Sequence, residues 1–314
     1  MIDFYPFILS LNSQLFLTMN YSRFRNILTQ YNRQNLSTKK LIKVKTVNLA
    51  HLQSVKYSST KMSPKKIGFI MTEDGEKWKG EAGIGKYFLQ RFQQVDDSFE
   101  YEVIHGVTGS LPKISQLPNY IGFVISGSHH SVNDPYQWIM NLQNFIIQLD
   151  QYNKENRNKP VRLFGICYGH QLIAKTFGGV VQPIGDGKFI YGAEKVNFTN
   201  KLSDEVWFKQ ALQYHSSNIM VAQSHGEEVY TVPKNAITVA SSTTCKAEAL
   251  LYDDHILSFQ GHPELENETL GRIIGGNLIR KKIIDRQALE RGNGNARMVP
   301  ADTLTGMVLA FLNH

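Results

Sequence analysis

From Lys66 onward the chain alternates short apolar runs with amphipathic stretches, and each run ends at glycine, serine or a polar turn. This is the pattern of an α/β sheet. Ile67-Gly68-Phe69-Ile70-Met71 is read as the first strand, Tyr101-Glu102-Val103-Ile104 as the second, residues 121 to 125 as the third and 161 to 166 as the fourth. Between the last two, Trp138, Ile139, Leu142, Phe145, Ile146 and Leu149 recur at three and four residues, the spacing of a helix with one face on the sheet. A polar loop, Asn153 to Lys159, then leads through Pro160 into the fourth strand. A right-handed crossover makes strands three and four parallel. The turns that follow them therefore share one edge, where open α/β sheets take ligands.

The next helix carries Leu172, Ile173, Ala174 and Phe177 and is predicted to stop at Gly178-Gly179, since glycine accepts the left-handed cap conformation. Val180 to Phe198, Ile237 to Ala240 and Ala247 to Tyr252 read as antiparallel strands, and Ile256 to Gln260 as a buried strand. Residues 267 to 292 are predicted to form one helix rich in basic positions, and Pro300 to Leu312 another.

Chemistry enters at Phe164-Gly165-Ile166-Cys167-Tyr168-Gly169-His170-Gln171, a cysteine between glycines where a strand turns into a helix. A sharp turn needs small residues there, because a Cβ would meet the neighbouring strand or the approaching substrate. The free N–H groups of the following helix, and a nearby imidazolium, favour the reactive thiolate. Downstream, the buried strand runs into Gly261-His262-Pro263-Glu264. His262 is the candidate base, and Glu264, two positions on, is spaced to fold back onto the far ring nitrogen and fix its tautomer. Acyl transfer also needs donors for the tetrahedral oxyanion. The backbone N–H groups of Gly127 or Ser128, in the turn after the third strand, together with that of Tyr168, are the candidates.

These segments, with Ser224-His225-Gly226-Glu227-Glu228-Val229 in the expected order, resemble the class I glutamine amidotransferase superfamily and its Cys-His-Glu triad. The resemblance runs from about Lys66 to Glu264. It implies a flavodoxin-like, mostly parallel doubly wound sheet with flanking helices and a small antiparallel β layer inserted before the histidine. It also implies that Gln171 and residues Ser224, His225, Gly226 and Glu227 line the pocket for a γ-glutamyl group. Within the superfamily the chain is most similar to short, stand-alone members resembling plant γ-glutamyl peptidases and GMP-synthase-like amidotransferases. One departure marks it: many relatives carry Gly-Gly-Pro in the oxyanion turn, where this chain has Gly127-Ser128-His129-His130.

The implied activity is cysteine-dependent hydrolysis of a γ-glutamyl amide bond through a thioester. The substrate is glutamine or a γ-glutamyl peptide such as a glutathione-type conjugate. Fewer than sixty residues follow Glu264, so no fused synthetase is expected. Two rivals stand beside this reading: a glutaminase subunit that passes ammonia to a separate synthetase partner, and a non-catalytic binding protein of the same fold.

Composition changes the picture mainly at the amino terminus. The chain carries a net charge of +7, but residues 1 to 66 hold eleven Lys and Arg against the single acid Asp3, and the remainder is slightly acidic. No basic patch is left to argue for nucleic-acid binding by the folded part. Residues 1 to 61 form a basic extension with three readings: a transit peptide, a disordered segment, or sequence upstream of a working start at Met62. Phe7 to Leu17 is too short and too polar to span a bilayer, so no membrane partner is expected. Two cysteines make no disulfide framework, which fits the cytoplasm, or the mitochondrial matrix if the extension is a transit peptide.

Cofactors and metals are not expected. A His-x-Glu pair lacks the third and fourth ligands that zinc needs, and Gly185-Asp186-Gly187-Lys188 lacks the other residues of a phosphate loop. Cys245, with no glycine setting and no partner residue, is read as packing. His129 and His130, beside the oxyanion turn, read as solvated loop residues with contact to substrate as the alternative, and Glu73 to Glu76 with Trp78 as a solvated loop at the ligand edge with substrate selection as the alternative.

Overall fold

The computed structural model describes residues 65–212 and 217–314. The readings made for the amino-terminal extension fall outside these residues. Eleven strands form here. They are β1 (Lys66–Met71), β2 (Glu100–His105), β3 (Tyr120–Ile125), β4 (Arg162–Ile166), β5 (Val180–Pro183) and β6 (Ile190–Phe198), followed by β7 (Asn218–His225), β8 (Glu227–Thr231), β9 (Ala236–Ser241), β10 (Ala249–Tyr252) and β11 (Ile256–Phe259). Nine of them make one mixed sheet in the order β2-β1-β3-β4-β11-β10-β9-β6-β7. β2, β1, β3, β4 and β11 run parallel, and β10, β9, β6 and β7 continue the sheet antiparallel. β5 and β8 form a separate two-stranded antiparallel sheet.

Both faces of the parallel half are covered, which is why its strands read as unbroken apolar runs rather than alternating ones. Ile67 and Phe69 point into one core with Phe88 and Phe92 of α1 (Gly80–Val95). Ile70 and Phe123 point into the other with Leu142, Phe145 and Ile146 of α2 (Gln137–Glu155). α3 (Tyr168–Thr176) packs Leu172 and Ile173 on the second face. The carboxy-terminal helix, Ala301–Asn313, buries Leu304, Met307, Val308 and Phe311 on the first. Each such side chain contributes roughly 1.5–3 kcal/mol of transfer free energy.

The four parallel strands read from the sequence match β1 to β4, and the glycine stop after α3 is as expected. Gly178 adopts φ +89°, and the Gly179 N–H reaches back to the carbonyl of Ala174 at 2.8 Å. Three expectations are revised. The loop from Asn153 is shorter, because α2 continues to Glu155; the buried Asn153 amide pairs with both backbone groups of Val161 at 2.8 Å and docks the helix end on the start of β4. The expected small antiparallel layer is present as β5 and β8, but β6, β9 and β10, read as its other strands, extend the main sheet, and β7 and β8 arise where no strand was read. The single helix predicted over 267–292 is broken. A one-turn helix, a π-turn over Leu270–Gly275 and Gly276–Arg280 end at Lys282, which takes a left-handed φ of 57°; a new helix, Arg286–Ala296, starts on the Asp285 cap. Among the described residues no helix is long and apolar enough to cross a membrane.

Candidate active site

Cys167 sits at the junction of β4 and α3 with φ 49° and ψ −98°. That is a region a residue with a Cβ enters only when its surroundings hold it there. The Cys167 N–H donates to the Phe259 carbonyl at 2.8 Å and its carbonyl accepts from Gln171, so β11 and the first turn of α3 pin the elbow from both sides. The flanking glycines are required by contact. A Cβ on Gly165 would lie 2.6 Å from Ile173 Cδ1 and 2.8 Å from the Gly169 backbone, and one on Gly169 would lie 2.6 Å from the Ile125 carbonyl oxygen. Cys167 is 5 % exposed and lines a cavity, too little exposure for free solvation.

His262 follows β11 and is fixed by its own N–H, which donates to the Ala222 carbonyl of β7 at 2.8 Å. Its Nδ1 donates to Glu264 Oε1 at 2.9 Å, and Nε2 has no partner among the described residues. Glu264 is buried; Tyr87 of α1 donates to its carbonyl and Thr305 to that of Pro263, so the turn is anchored from two helices. Burial alone favours the neutral ring, but the Glu264 carboxylate and the nearby Cys167 sulfur outweigh it and hold the imidazole well above its ordinary pKa. The His262 ring and the Cys167 side chain flank one point. A Cβ built on Gly127 would lie 2.9 Å from His262 Cε1 and 3.6 Å from Cys167 Cβ.

That same glycine belongs to the turn after β3, which a knot of hydroxyls holds in place. Thr72 Oγ1 donates to the carbonyls of Ser126 and Gly127, at 3.0 and 3.2 Å, and Ser128 Oγ donates to the Thr72 carbonyl. The N–H groups of Gly127, Ser128 and Tyr168 meet no protein acceptor among the described residues, and Gly127 and Ser128 line the same cavity as Cys167.

The structure brings the remaining candidate pocket residues together. Ser224, His225, Gly226 and Glu227 form the tip between β7 and β8 and line the same cavity of about 380 Å³ as Cys167, Gln171 and His262. Gln171 Nε2 donates to the Glu227 carbonyl at 2.8 Å, and His225 Nδ1 donates to it at 3.0 Å. Burial pushes His225 down to about 4, so its ring is neutral and serves as a pocket wall.

Residues 91–281 match the family Glutamine amidotransferase class-I. The chain belongs to this family. It is 29 % identical to gamma-glutamyl peptidase 2 of Arabidopsis thaliana over 75 % of its length and 89 % of the relative's. It is 30 % identical to gamma-glutamyl peptidase 4 of the same plant, over 69 % of the chain and 84 % of the relative. A GMP synthase of Borrelia garinii is 29 % identical over 52 % of the chain, which spans 27 % of that longer protein. Among solved structures, a glutamine amidotransferase from Thermotoga maritima superposes with a TM-score of 0.58 at 20 % identity, covering 81 % of this chain and all of that one, a likeness of fold.

Within this class I glutamine amidotransferase three sets of residues in and around the pocket went unread in the sequence. Gln260, the residue before Gly261-His262, donates from Nε2 to Cys167 Sγ at 3.6 Å and accepts from Gln171 at 3.2 Å, tying nucleophile and pocket together; its position at the end of a buried strand was the available signal. Thr72 and Ser126, both fully buried, fix the oxyanion turn. The segment Ile274, Asn277, Leu278, Lys281 and Ile283 forms one wall of the cavity and has no motif to announce it. Trp78, Lys77 and Glu73 line the cavity as well, and the Glu73 carboxyl is held down at about 2: burial would raise it, but His129 and Lys77 prevail. Two groups of side chains have metal-ligand spacing among the described residues, Asp74 with His129 and His130, and Asp150 with Asp253 and His255; His262 belongs to neither.

Proposed function

We propose that this class I glutamine amidotransferase hydrolyses γ-glutamyl amide bonds, with Cys167 as nucleophile, His262 as general base and acid, and Glu264 as the carboxylate that orients and charges the ring. The observation that carries the reading is the meeting of sulfur, imidazole and carboxylate at the strained turn between β4 and α3, beside backbone N–H groups without acceptors. Cys167 attacks the γ-carbonyl carbon. The oxyanion is received by the N–H groups of Gly127 or Ser128 and Tyr168. His262 delivers its proton to the leaving nitrogen, and water, deprotonated by the same ring, releases glutamate from the thioester. Gln171 and the tip Ser224–Glu227 hold the γ-glutamyl group, with the Glu227 carboxylate available for its α-ammonium.

Of the two leaving groups, a peptide or amino acid is better supported than ammonia. The cavity falls in the range that takes drug-sized ligands, roughly 300–1,000 Å³, and its far wall is apolar, built of Trp78, Leu265, Ile274 and Leu278, with the exposed Lys281 on it. Ammonia needs none of this surface, whereas an apolar residue with a terminal carboxylate fits it. The relatives named gamma-glutamyl peptidases point the same way. The test is glutamate release by the purified chain from glutamine and from a panel of γ-glutamyl dipeptides, alongside Cys167→Ala. Faster turnover of the dipeptides, abolished by the substitution, is expected. Turnover of neither substrate, or turnover untouched by Cys167→Ala, overturns the reading.

A further inference from the structure

Beside the oxyanion turn, two loops that follow neighbouring parallel strands converge on a group of side chains that the hydrolytic reaction does not use. The loop after β1 brings Glu73 and Asp74, and the loop after β3 brings His129 and His130. His130 Nε2 lies 3.0 Å from Asp74 Oδ1, and His129 Nδ1 lies 3.8 Å from the same oxygen. One nitrogen of each ring and one Asp74 oxygen all fall within 4.8 Å of one another. We propose that Asp74, His129 and His130 bind a divalent cation of the zinc type, which staples the two loops together.

Three observations carry this. The first is spacing. Zinc bound to nitrogen and oxygen at about 2.0–2.1 Å holds tetrahedral ligands about 3.3 Å apart, and the two separations measured to Asp74 bracket that value. The second is support. Asp134 Oδ2 stands 3.9 Å from His130 Nδ1, on the far side of the ring from the nitrogen that faces Asp74, and the ring lies edge-on to Tyr136 and Trp138. A carboxylate behind the far nitrogen of an imidazole ligand is the arrangement that fixes ring orientation at metal centres. Glu73 Oε1, fixed by the Gly75 N–H at 2.8 Å, lies 2.6 Å from His129 Nδ1, the same nitrogen that faces Asp74, and so stands where a fourth ligand belongs rather than behind the ring. The third is charge. Glu73, Asp74 and Asp134 converge with Lys77 as the nearby cation, leaving an excess of two negative charges that a divalent ion would neutralise. Two imidazoles and one carboxylate are the borderline donor set that zinc, cobalt and nickel share.

The loop is wound tightly about the group. A Cβ on Gly75 would come 2.6 Å from Glu73 Oε1 and 3.4 Å from His129 Nδ1. The two ligand segments lie more than fifty residues apart in the chain, which is why no motif spacing announced them.

The experiment uses the full chain carrying Cys167→Ala, so that the reactive sulfur cannot capture metal, stripped with a chelator and titrated with cobalt(II). The expected result is one bound equivalent with the visible absorption of a low-coordinate nitrogen–oxygen site, no sulfur-to-cobalt band, and displacement by zinc. Adding Asp74→Asn, on an exposed loop, or His130→Gln is expected to weaken binding at least tenfold each, whereas Asp253→Asn, in the other carboxylate–histidine group, leaves it unchanged. Absence of the cobalt spectrum at millimolar metal overturns the proposal. So does binding that survives both substitutions in variants with native circular dichroism.

Discussion

Replacing Glu264 by Gln keeps the shape of the His262 partner and removes its charge. The bond at stake is buried and 2.9 Å long, and it is the main support for an imidazolium that burial would otherwise discharge. Hydrogen bonds to charged groups contribute roughly 1.5–3 kcal/mol. Breaking one side of a buried ion pair costs about 3–5 kcal/mol. Taking about 3 kcal/mol as the loss, and about 1.4 kcal/mol for each tenfold change in rate, Glu264→Gln lowers kcat/KM for glutamate release roughly a hundredfold at neutral pH. Because the same ring is the base that takes the thiol proton, alkylation of Cys167 by iodoacetamide at pH 7 slows in parallel. The fold is expected to survive, since the amide fills the same space. The assay is a pair of rates on one preparation, turnover of a γ-glutamyl dipeptide and alkylation followed by intact mass. A variant that keeps kcat/KM within about threefold and alkylates at the unchanged rate would refute the coupling of Glu264 to His262.

Other sites give sharper structural outcomes. Gly169→Val drives a Cβ to within 2.6 Å of the Ile125 carbonyl oxygen, so α3 must retreat from the sheet; activity is lost, and thermal melting should show a destabilisation of about 1–3 kcal/mol, with an unchanged melting point contradicting the packing argument. Asn153→Ala strips two 2.8 Å bonds from the Val161 backbone and is expected to cost roughly 1–3 kcal/mol in urea unfolding while leaving kcat/KM intact. Burial lowers His170 to about 3 and His225 to about 4, whereas unfolded imidazoles titrate near 6.5. The unfolded chain therefore binds more protons as pH falls, and the contribution of these rings is complete above about pH 6.5 and is lost progressively between 6.5 and 3. The urea midpoint of His170→Gln should fall less steeply over that range than that of the parent chain, and identical slopes would contradict it.

The parallel half of the fold was legible because both its faces are buried and its strands are continuous apolar runs bounded by turns. The elbow at Cys167 was legible for a local reason as well: Gly165 and Gly169 are demanded by contacts with Ile173 and Ile125, and such demands leave small residues in the sequence. What could not be read depends on distant pairings. β7 and β8 carry polar residues, Gln223 and Ser224 among them, that dilute the apolar signal, and their strand character comes from pairing with β6 and β5. The break after Arg280 rests on one left-handed residue, Lys282, of a type that seldom marks a turn. Gln260, Thr72 and the wall from Ile274 to Ile283 gain their roles from neighbours brought together only by the fold, and none has a motif of its own.

The claim beneath all of this is that Cys167 forms a thioester with a γ-glutamyl group. The direct measurement is to mix the chain with excess γ-glutamyl dipeptide, quench in acid within the first turnover and read the intact mass, then map the adduct by digestion. A gain of one γ-glutamyl group on Cys167, absent in Cys167→Ala and in His262→Ala, which has no group to protonate the leaving nitrogen, is the predicted result. Glutamate release with no adduct on Cys167 at any quench time, or an adduct on Cys245, would contradict the account.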